Sequence, residues 1–245
     1  MAVKRSRSVA RALSVLELIA SRQPIGVSAL AKLLDEDRSA VQRVVMTLAD
    51  AKWIRLAHEL PVRWELSAHI FTIAHLPFSA ADLRQRARRS LEELRGKTGE
   101  TAFLAIPDIN RFIVIDVAES PHGLLASVRI GEVISSAKSA TARAVLPYFD
   151  REQQVAMLGR APTRAELARF AATHERGFSL SVNDVMQGVS SVGAPVFDGH
   201  GQPMAAIVVS GPSYRLTADR REGTGKLLVV CALGLSRGEP SNGIA

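Results

Sequence analysis

The fold is decided by the segment VSALAKLLDEDRSAVQRVVMTLADAKWIRL at residues 27–56, together with VRWEL at residues 62–66. Apolar residues recur at helical spacing before and after an acidic break at 35–37, which predicts two short helices and a tight turn. The hydroxyl of Ser28 is predicted to cap the first of these helices. Residues 53–56 and 62–66 alternate as strands do and flank a turn-like HELP segment, which indicates a two-stranded ribbon. The combination predicts a winged helix-turn-helix.

The second helix carries side chains that suit DNA. Its apolar stripe leaves the opposite, solvent-facing side to Arg38, Ser39, Ala40, Gln42, Arg43 and Thr47. Arginine can bridge guanine O6 and N7 or grip phosphate, a glutamine amide can pair with adenine, and small side chains allow close approach to a groove. We therefore interpret it as a recognition helix. Two amphipathic helices that only pack against each other remain the alternative.

Composition restricts the function classes. The chain has 245 residues, of which 47% are apolar, enough for one large domain or two modest ones. A formal charge of +7 favours polyanions, either nucleic acid or an anionic membrane surface. No apolar run approaches the roughly 20 residues that span a bilayer. The apolar segment 12–20 contains Glu17 and keeps helical periodicity, unlike a secretory signal, and Cys231 is the single cysteine, so we expect a cytoplasmic protein.

The chain divides into predicted domains. Residues 1–66 form the winged helix-turn-helix DNA-binding domain, which begins with a loose basic arm; 67–80 form a linker helix that pairs with a second chain; 81–238 form an effector-binding domain; and 239–245 form a loose tail. An arginine-rich helix near the start of the third segment is expected to face solvent or acidic neighbours.

The third segment mixes strand and helix patterns. Strands are predicted at 101–106, 112–118, 124–129, 191–197 and 204–210, and helices at 140–149, 151–158, 164–176 and 218–235. This order predicts an α+β domain in which helices lie on an antiparallel sheet. A large mixed domain of this kind disfavours a protein that only compacts DNA or binds membrane surfaces.

Motifs along nearly the full chain resemble the IclR family of bacterial transcription regulators. The motifs are RALSVLELIA at 11–20, RSAVQRVVMTL at 38–48, SLEELRGKTGET at 90–101, ERGF at 175–178, GVSSVGAPVFD at 188–198 and AAIVVSGPSYRLT at 205–217. The resemblance implies a winged-helix head, a linker helix and a GAF-like α+β effector domain. It further implies a homodimer or homotetramer on palindromic operator DNA, whose binding a small organic or aromatic acid alters.

Residue roles follow from the same resemblance. Arg38, Ser39, Ala40, Gln42 and Arg43 would face the major groove, and Arg63 in the wing would lie near phosphate. Asp35 and Lys52 stand where the family often has glycine, so the helix ends must be made differently in this chain.

The family's effector pocket lies between the sheet and the segment that here spans 134–144. Carried over by position, its walls are Ala140, Thr141, Ser181, Val189, Ser191, Val208 and Ser210. Ser181 replaces an acidic residue common in binders of small carboxylates, Ser191 replaces a frequent cysteine, and Val208 a frequent serine. We therefore expect a larger and less polar effector, such as an aromatic acid.

An enzyme is the rival interpretation. Ser135 and Lys138 satisfy the S-x-x-K pattern, and K-T-G occurs at 97–99, two pieces of a serine-hydrolase signature. Their chain order is reversed and no S-D-N element joins them, so this alternative is disfavoured. The six histidines are scattered, and neither a metal site nor a cofactor is predicted. The sequence predicts a ligand-responsive transcriptional regulator, repressor or activator, without catalytic residues.

Overall fold

The computed structural model describes residues 6–57, 60–74, 79–122, 128–134 and 137–237. Contacts between residues divide the chain into two units, Met1–Phe78 and Ser79–Ala245. Several predicted features lie outside the described residues: the start of the basic arm, His58 and Glu59 of the turn, most of the strand at 124–129, Ser135, and the tail at 239–245. The predicted domain boundaries at 66 and 80 stay predictions.

The first unit is a winged helix-turn-helix, as predicted. Its elements are α1 Arg7–Arg22, α2 Val27–Leu34, α3 Arg38–Asp50, β1 Ile54–Leu56, β2 Trp64–Leu66 and α4 His69–Ala74. The two strands are antiparallel, with Ile54 opposite Leu66 and Leu56 opposite Trp64. The three longer helices and the ribbon bury one apolar core, which consists of Val15, Ile19, Ile25, Leu30, Ala31, Val41, Val45, Ile54 and Trp64. Apolar periodicity therefore predicted the helices and the buried faces of α2 and α3. Helix α1 instead buries Val15 and Ile19 and leaves Val9 and Leu13 exposed.

The helix ends in this unit are made without the expected residues. The predicted Ser28 cap is wrong, because α2 begins at Val27 after an extended Gly26 whose carbonyl accepts from the Ala29 and Leu30 N–H groups. Asp35 ends α2 with φ 51°, and Lys52 follows α3 with φ 66°. Both residues adopt the left-handed backbone conformation that favours glycine, so each of these turns carries some backbone strain.

The second unit is an α+β domain with an antiparallel sheet, as predicted, and the described part of the sheet has six strands. Its strands are β3 Thr101–Asp108, β4 Arg111–Ala118, β5 Val133–Ile134, β6 Ser179–Val182, β7 Val189–Phe197 and β8 Pro203–Pro212. They lie in the order β5-β4-β3-β8-β7-β6, and every neighbouring pair is antiparallel. β5 and β6 were not predicted, since two and four residues are too few to show alternation. Val128 and Arg129, the described end of the strand predicted at 124–129, are not in a strand.

Helices cover both faces of the sheet. They are α5 Ser79–Thr98, α6 Ala140–Val145, α7 Arg151–Leu158, α8 Arg164–Arg176 and α9 Ala218–Ser236. α5 and α9 share a core with Val192, Ala194, Ile207 and Val209, whereas α6 packs on the other face against Phe103 and Val208. The helix predicted at 140–149 ends early and continues as a 3₁₀ turn, Leu146–Tyr148, because Pro147 lacks the N–H that another α-helical turn requires.

The arginine-rich helix α5 pairs with acidic neighbours, as predicted. Arg86 contacts Asp82 at 3.1 Å and Arg89 contacts Glu93 at 3.0 Å, each one helical turn away. Arg88 contacts the buried Asp116 on β4 at 3.1 Å. These contacts give the run of arginines a structural role within the sheet domain.

Candidate DNA-binding surface and effector site

Helix α3 presents most of the predicted DNA-binding residues to solvent. Arg38, Ser39, Gln42, Arg43 and Thr47 are exposed, while Val41 and Val45 on the opposite side are fully buried. The prediction that Ala40 lies on the exposed face is wrong, because this residue is only 8% exposed. Ala40 lies one turn before the partly buried Val44, so helical rotation places it at the margin of the apolar stripe.

The start of α3 is fixed by Asp37. One oxygen of its carboxylate, Oδ1, accepts hydrogen bonds from the Ser39 N–H at 2.9 Å, the Ala40 N–H at 3.1 Å and the Ser39 hydroxyl. The hydrogen bond from the Ser39 side chain, followed by the one from the Ala40 backbone, lowers the pKa of Asp37. The acidic break therefore supplies an ionised N-cap, which orients the first turn of the recognition helix. Its role as a cap is one that the sequence pattern did not reveal.

The arginines of this surface are open to a partner. Among the described residues, neither Arg38 nor Arg43 forms an ion pair within 4 Å. Arg63 is exposed in the wing, and its Nη1 donates to the Pro24 carbonyl at 3.5 Å. Arg55, which lies on the neighbouring strand, pairs with Glu65 at 2.8 Å. Arg55 thus has an acidic partner within the ribbon, in contrast to Arg38 and Arg43 on α3.

The predicted effector residues of the sheet lie on one face. Thr101, Ser210, Ser191 and Ser181 are direct cross-strand partners in neighbouring strands, so their hydroxyls form a row across β3, β8, β7 and β6. The Ser191 and Ser210 Oγ atoms are 2.8 Å apart. Val189 and Val208 lie two residues before Ser191 and Ser210 on the same strands, so their side chains point to the same face of the sheet. Sequence reasoning missed Thr101, because only the pairing register places it in the row.

Helix α6 covers part of this face. The Ser179 hydroxyl donates to the Ala140 carbonyl at 2.6 Å, and Ala140 and Thr141 are buried at the start of the helix. A Cβ at Gly193 would lie 3.1 Å from the Ala140 carbonyl oxygen, so the absence of a side chain there allows the close approach. Ala140 also shares a core cluster with Val208, so the start of α6 packs against the predicted face of the sheet.

A narrow cavity opens elsewhere on the α6 side of the sheet. Its walls are Asn110, Arg111, Phe112, Ile134, Ala137, Ala142, Leu146, Met157 and Leu158. None of these residues belongs to the predicted effector set.

A buried arginine ties α6 to the edge of the sheet. Arg143 is 5% exposed and donates to the Leu180 carbonyl at 2.8 Å and to Asp184 at 2.7 Å. Burial by itself would raise the pKa of Asp184, but the hydrogen bonds from Arg143 and from the Val182 N–H outweigh it and lower that pKa. No local pattern predicts this pair, since its members are 41 positions apart.

Other kinds of site lack support in the described part of the chain. There, no group of three or more His, Cys, Asp or Glu side chains could hold a metal ion. None of the described helices is long and apolar enough to cross a membrane. The K-T-G segment ends α5, where the Thr98 hydroxyl donates to the Leu94 carbonyl and Gly99 adopts φ 72°. Ser135 lies outside the described residues.

The fold and the surface of α3 define a class: a transcriptional regulator with a helix-turn-helix DNA-binding domain and an α+β domain. Residues 8–57 match the IclR helix-turn-helix domain, and residues 75–237 match the C-terminal domain of IclR bacterial transcriptional regulators. The chain therefore belongs to the IclR family, as the motifs predicted.

Similar proteins cover nearly the whole chain. It is 29% identical to the transcriptional repressor IclR of Escherichia coli over 92% of this chain and 87% of that protein. It is 28% identical to the acetate operon repressor of Salmonella typhimurium over the same shares of the two chains. A crystal structure of an IclR homologue complexed with 4-hydroxybenzoate, from Microbacterium hydrocarbonoxydans, superposes with a TM-score of 0.80 at 18% identity, covering 94% and 98% of the two chains.

Proposed function

We propose that this protein binds palindromic operator DNA through α3 as a homodimer or dimer of dimers, and that a small organic acid bound in the sheet domain alters that binding. The observation that carries the proposal is the exposed face of α3, where Arg38 and Arg43 form no ion pair within the described part of the chain. Unpaired guanidinium groups beside a glutamine amide are the chemistry that base edges require.

Each part of the DNA surface has a proposed role. Arg43 and Gln42 lie one turn after the start of α3, where they can reach base edges in the major groove, and Arg38 can contact a base or a phosphate. Arg63 in the wing contacts phosphate. Thr47 donates its hydroxyl to the Arg43 carbonyl at 2.9 Å, so it faces DNA mainly as a small side chain that permits close approach.

Two-fold pairing is supported by apolar side chains that the first unit leaves exposed. Val9 and Leu13 lie one turn apart on α1, and Ile73 lies on α4. Burial of such side chains against a second copy would stabilise a dimer. A two-fold protein presents two recognition helices to two half-sites, which is why we propose a palindromic operator.

The effector is proposed to lie on the α6 face of the sheet. The hydroxyls of Ser181, Ser191 and Ser210 can donate to a carboxylate or accept from a phenol, and Val208 offers an apolar wall. An aromatic acid fits this mixture, and the relative that was crystallised with 4-hydroxybenzoate supports the same class. A ligand that binds against Ala140 and Thr141 contacts α6, and it changes operator binding if it favours one of two arrangements of the protein that differ in their affinity for DNA.

A thermal-shift panel tests the effector proposal. Aromatic acids such as 4-hydroxybenzoate are expected to raise the melting temperature more than short aliphatic acids, because ligands that bind only the folded state stabilise it. Ser191→Val should abolish the ligand-induced shift. Ser190→Ala is the matched control, since it alters the neighbouring residue on the opposite face of β7 and should leave that shift intact. Stabilisation by short aliphatic acids alone would contradict the proposal.

A further inference from the structure

Met46 occupies the middle of the exposed face of α3, yet it has no role in the contacts proposed above. Because α-helical residues rotate by roughly 100° each, Met46 points in nearly the same direction as Ser39, while Arg38 and Thr47 lie towards the two edges of the face. Gln42 and Arg43 precede Met46 by four and three residues and flank it. The Met46 residue is 44% exposed.

The polar groups around Met46 leave the centre of the face without a free hydroxyl proton. Ser39 donates its hydroxyl proton to Asp37, and Thr47 donates its own to the Arg43 carbonyl. Only their lone pairs remain for a partner, so neither hydroxyl can donate to a phosphate or to a base acceptor in this arrangement. The centre of the exposed face is therefore occupied by the flexible, apolar side chain of Met46, beside two hydroxyls that can only accept hydrogen bonds.

The major groove contains one apolar group that such an arm can contact, the C5 methyl of thymine. We infer that Met46 reads a thymine methyl in each operator half-site and is a specificity-determining residue of this regulator. The inference rests on the proposed operator binding by α3. It adds a determinant of base preference that hydrogen bonds cannot supply, because no hydrogen bond recognises a methyl group.

Replacement of thymine by uracil tests the inference, because it removes only the methyl group. The operator is first isolated by selecting bound duplexes from a random library with the wild-type protein. Uracil is then placed at each thymine in turn, on both strands, and the dissociation constant is measured. One thymine in each half-site is expected to show weaker wild-type binding by about three- to fivefold, the contribution of one buried methyl-sized group. Met46→Ala should bind more weakly and lose this penalty, whereas Met46→Leu should keep it.

Met186→Ala is the matched control, because Met186 is 56% exposed and lies in the sheet domain. At each thymine position, replacement by uracil should change the dissociation constant of this variant as much as that of the wild-type protein. Two results would overturn the inference while leaving operator binding intact: a wild-type profile with no sensitive thymine, or a penalty that persists unchanged in Met46→Ala. A selection that yields no preferred sequence would overturn both the inference and the operator-binding proposal.

Discussion

In the helix-turn-helix unit the side chains assigned to DNA are mostly exposed, whereas in the sheet domain those assigned to the effector are buried or half-buried. The difference extends to charge. Neither Arg38 nor Arg43 on α3 forms an ion pair within 4 Å in the described part of the chain, but in the sheet domain the buried Arg143 pairs with Asp184 and the buried Glu100 pairs with Arg215. The exposed face of α3 thus keeps its arginines available to an external polyanion, whereas the sheet domain uses these buried charges to hold its own elements together.

Among the described residues of the sheet domain, Glu100 is the most deeply buried member of an ion pair. Its carboxylate is 1% exposed and accepts from Arg215 at 2.7 and 2.8 Å, a bidentate pair that raises the pKa of Arg215 through these hydrogen bonds. A Cβ at Gly211 would lie 2.4 Å from Glu100 Oε2, so the glycine makes room for the carboxylate. Removing a partner should therefore cost far more in the sheet domain than on the DNA-binding surface.

The largest effect is expected for Asp184→Ala. It leaves the guanidinium of Arg143 buried, with the Leu180 carbonyl as its remaining hydrogen-bond partner among the described residues, which should lower the free energy of unfolding by about 3–5 kcal/mol. Chemical denaturation followed by circular dichroism measures this. Glu222→Ala, which removes the exposed partner of Lys226, should cost less than about 1 kcal/mol.

The same pair has a predicted pH dependence. Because the pKa of Asp184 is lowered in the folded protein, its contribution is complete above its ordinary pKa near 3.8 and is lost as the pH falls through the lowered value. The stability difference between wild type and Asp184→Ala should therefore shrink in acid. A difference that grows on acidification would contradict the ion-pair explanation.

A pair of glycines on α9 should respond to alanine with opposite signs. A Cβ at Gly225 would lie 2.5 Å from the buried Phe178 ring, so Gly225→Ala should destabilise the domain by about 2–3 kcal/mol. At Gly223 a Cβ meets nothing within 4 Å. Gly223→Ala should therefore stabilise the helix by about 0.5–1 kcal/mol. Equal effects at both positions in thermal denaturation would show that α9 does not pack as described.

Arg43→Ala should weaken operator binding by about 1–3 kcal/mol and broaden the preference at one base position. Fluorescence titration against a panel of single-base operator variants measures both effects. Arg111→Ala removes an equal charge from the sheet domain and should leave the pattern of preferences unchanged. A loss that is uniform across all sequences would assign Arg43 to phosphate instead.

The smallest effect concerns the strained turn after α3. Lys52 has φ 66°, so Lys52→Gly should relieve strain and stabilise the unit by about 0.5–1 kcal/mol. Its neighbour Ala51 has φ −75°, which is unstrained. Ala51→Gly should therefore destabilise the unit by a similar amount, because glycine increases the conformational entropy of the unfolded chain and relieves no strain in the folded one. Destabilisation by both substitutions in thermal denaturation would show that Lys52 is not strained.

The two units also differ in what the sequence could predict. In the first unit, apolar periodicity was enough to predict the helices, the ribbon and most of the exposed recognition face. It failed at Ala40, which lies at the margin of the buried stripe, and it assigned no position to Met46, which lies on the exposed face. Both errors concern the exact rotation of a single helix, which a pattern of apolar residues defines only coarsely.

In the sheet domain the long strands were predicted, but the composition of each face was not. Which side chains share a face across strands depends on pairing register, so Thr101 was missed although it completes the row of hydroxyls. The Arg143–Asp184 pair depends on a contact between α6 and the segment after β6, which no local spacing encodes. The family resemblance, rather than periodicity, supplied the candidate effector residues.

The most direct test of the central claim is a fluorescence titration of the protein against the intergenic duplex beside its own gene, with an unrelated duplex as control, at two salt concentrations. Salt sensitivity by itself would show only phosphate contact. A sequence-reading α3 predicts that the cognate duplex binds about a thousandfold more tightly than the control at both salt concentrations. Equal, weak binding of the intergenic duplex, of the unrelated duplex and of duplexes selected genome-wide would contradict it.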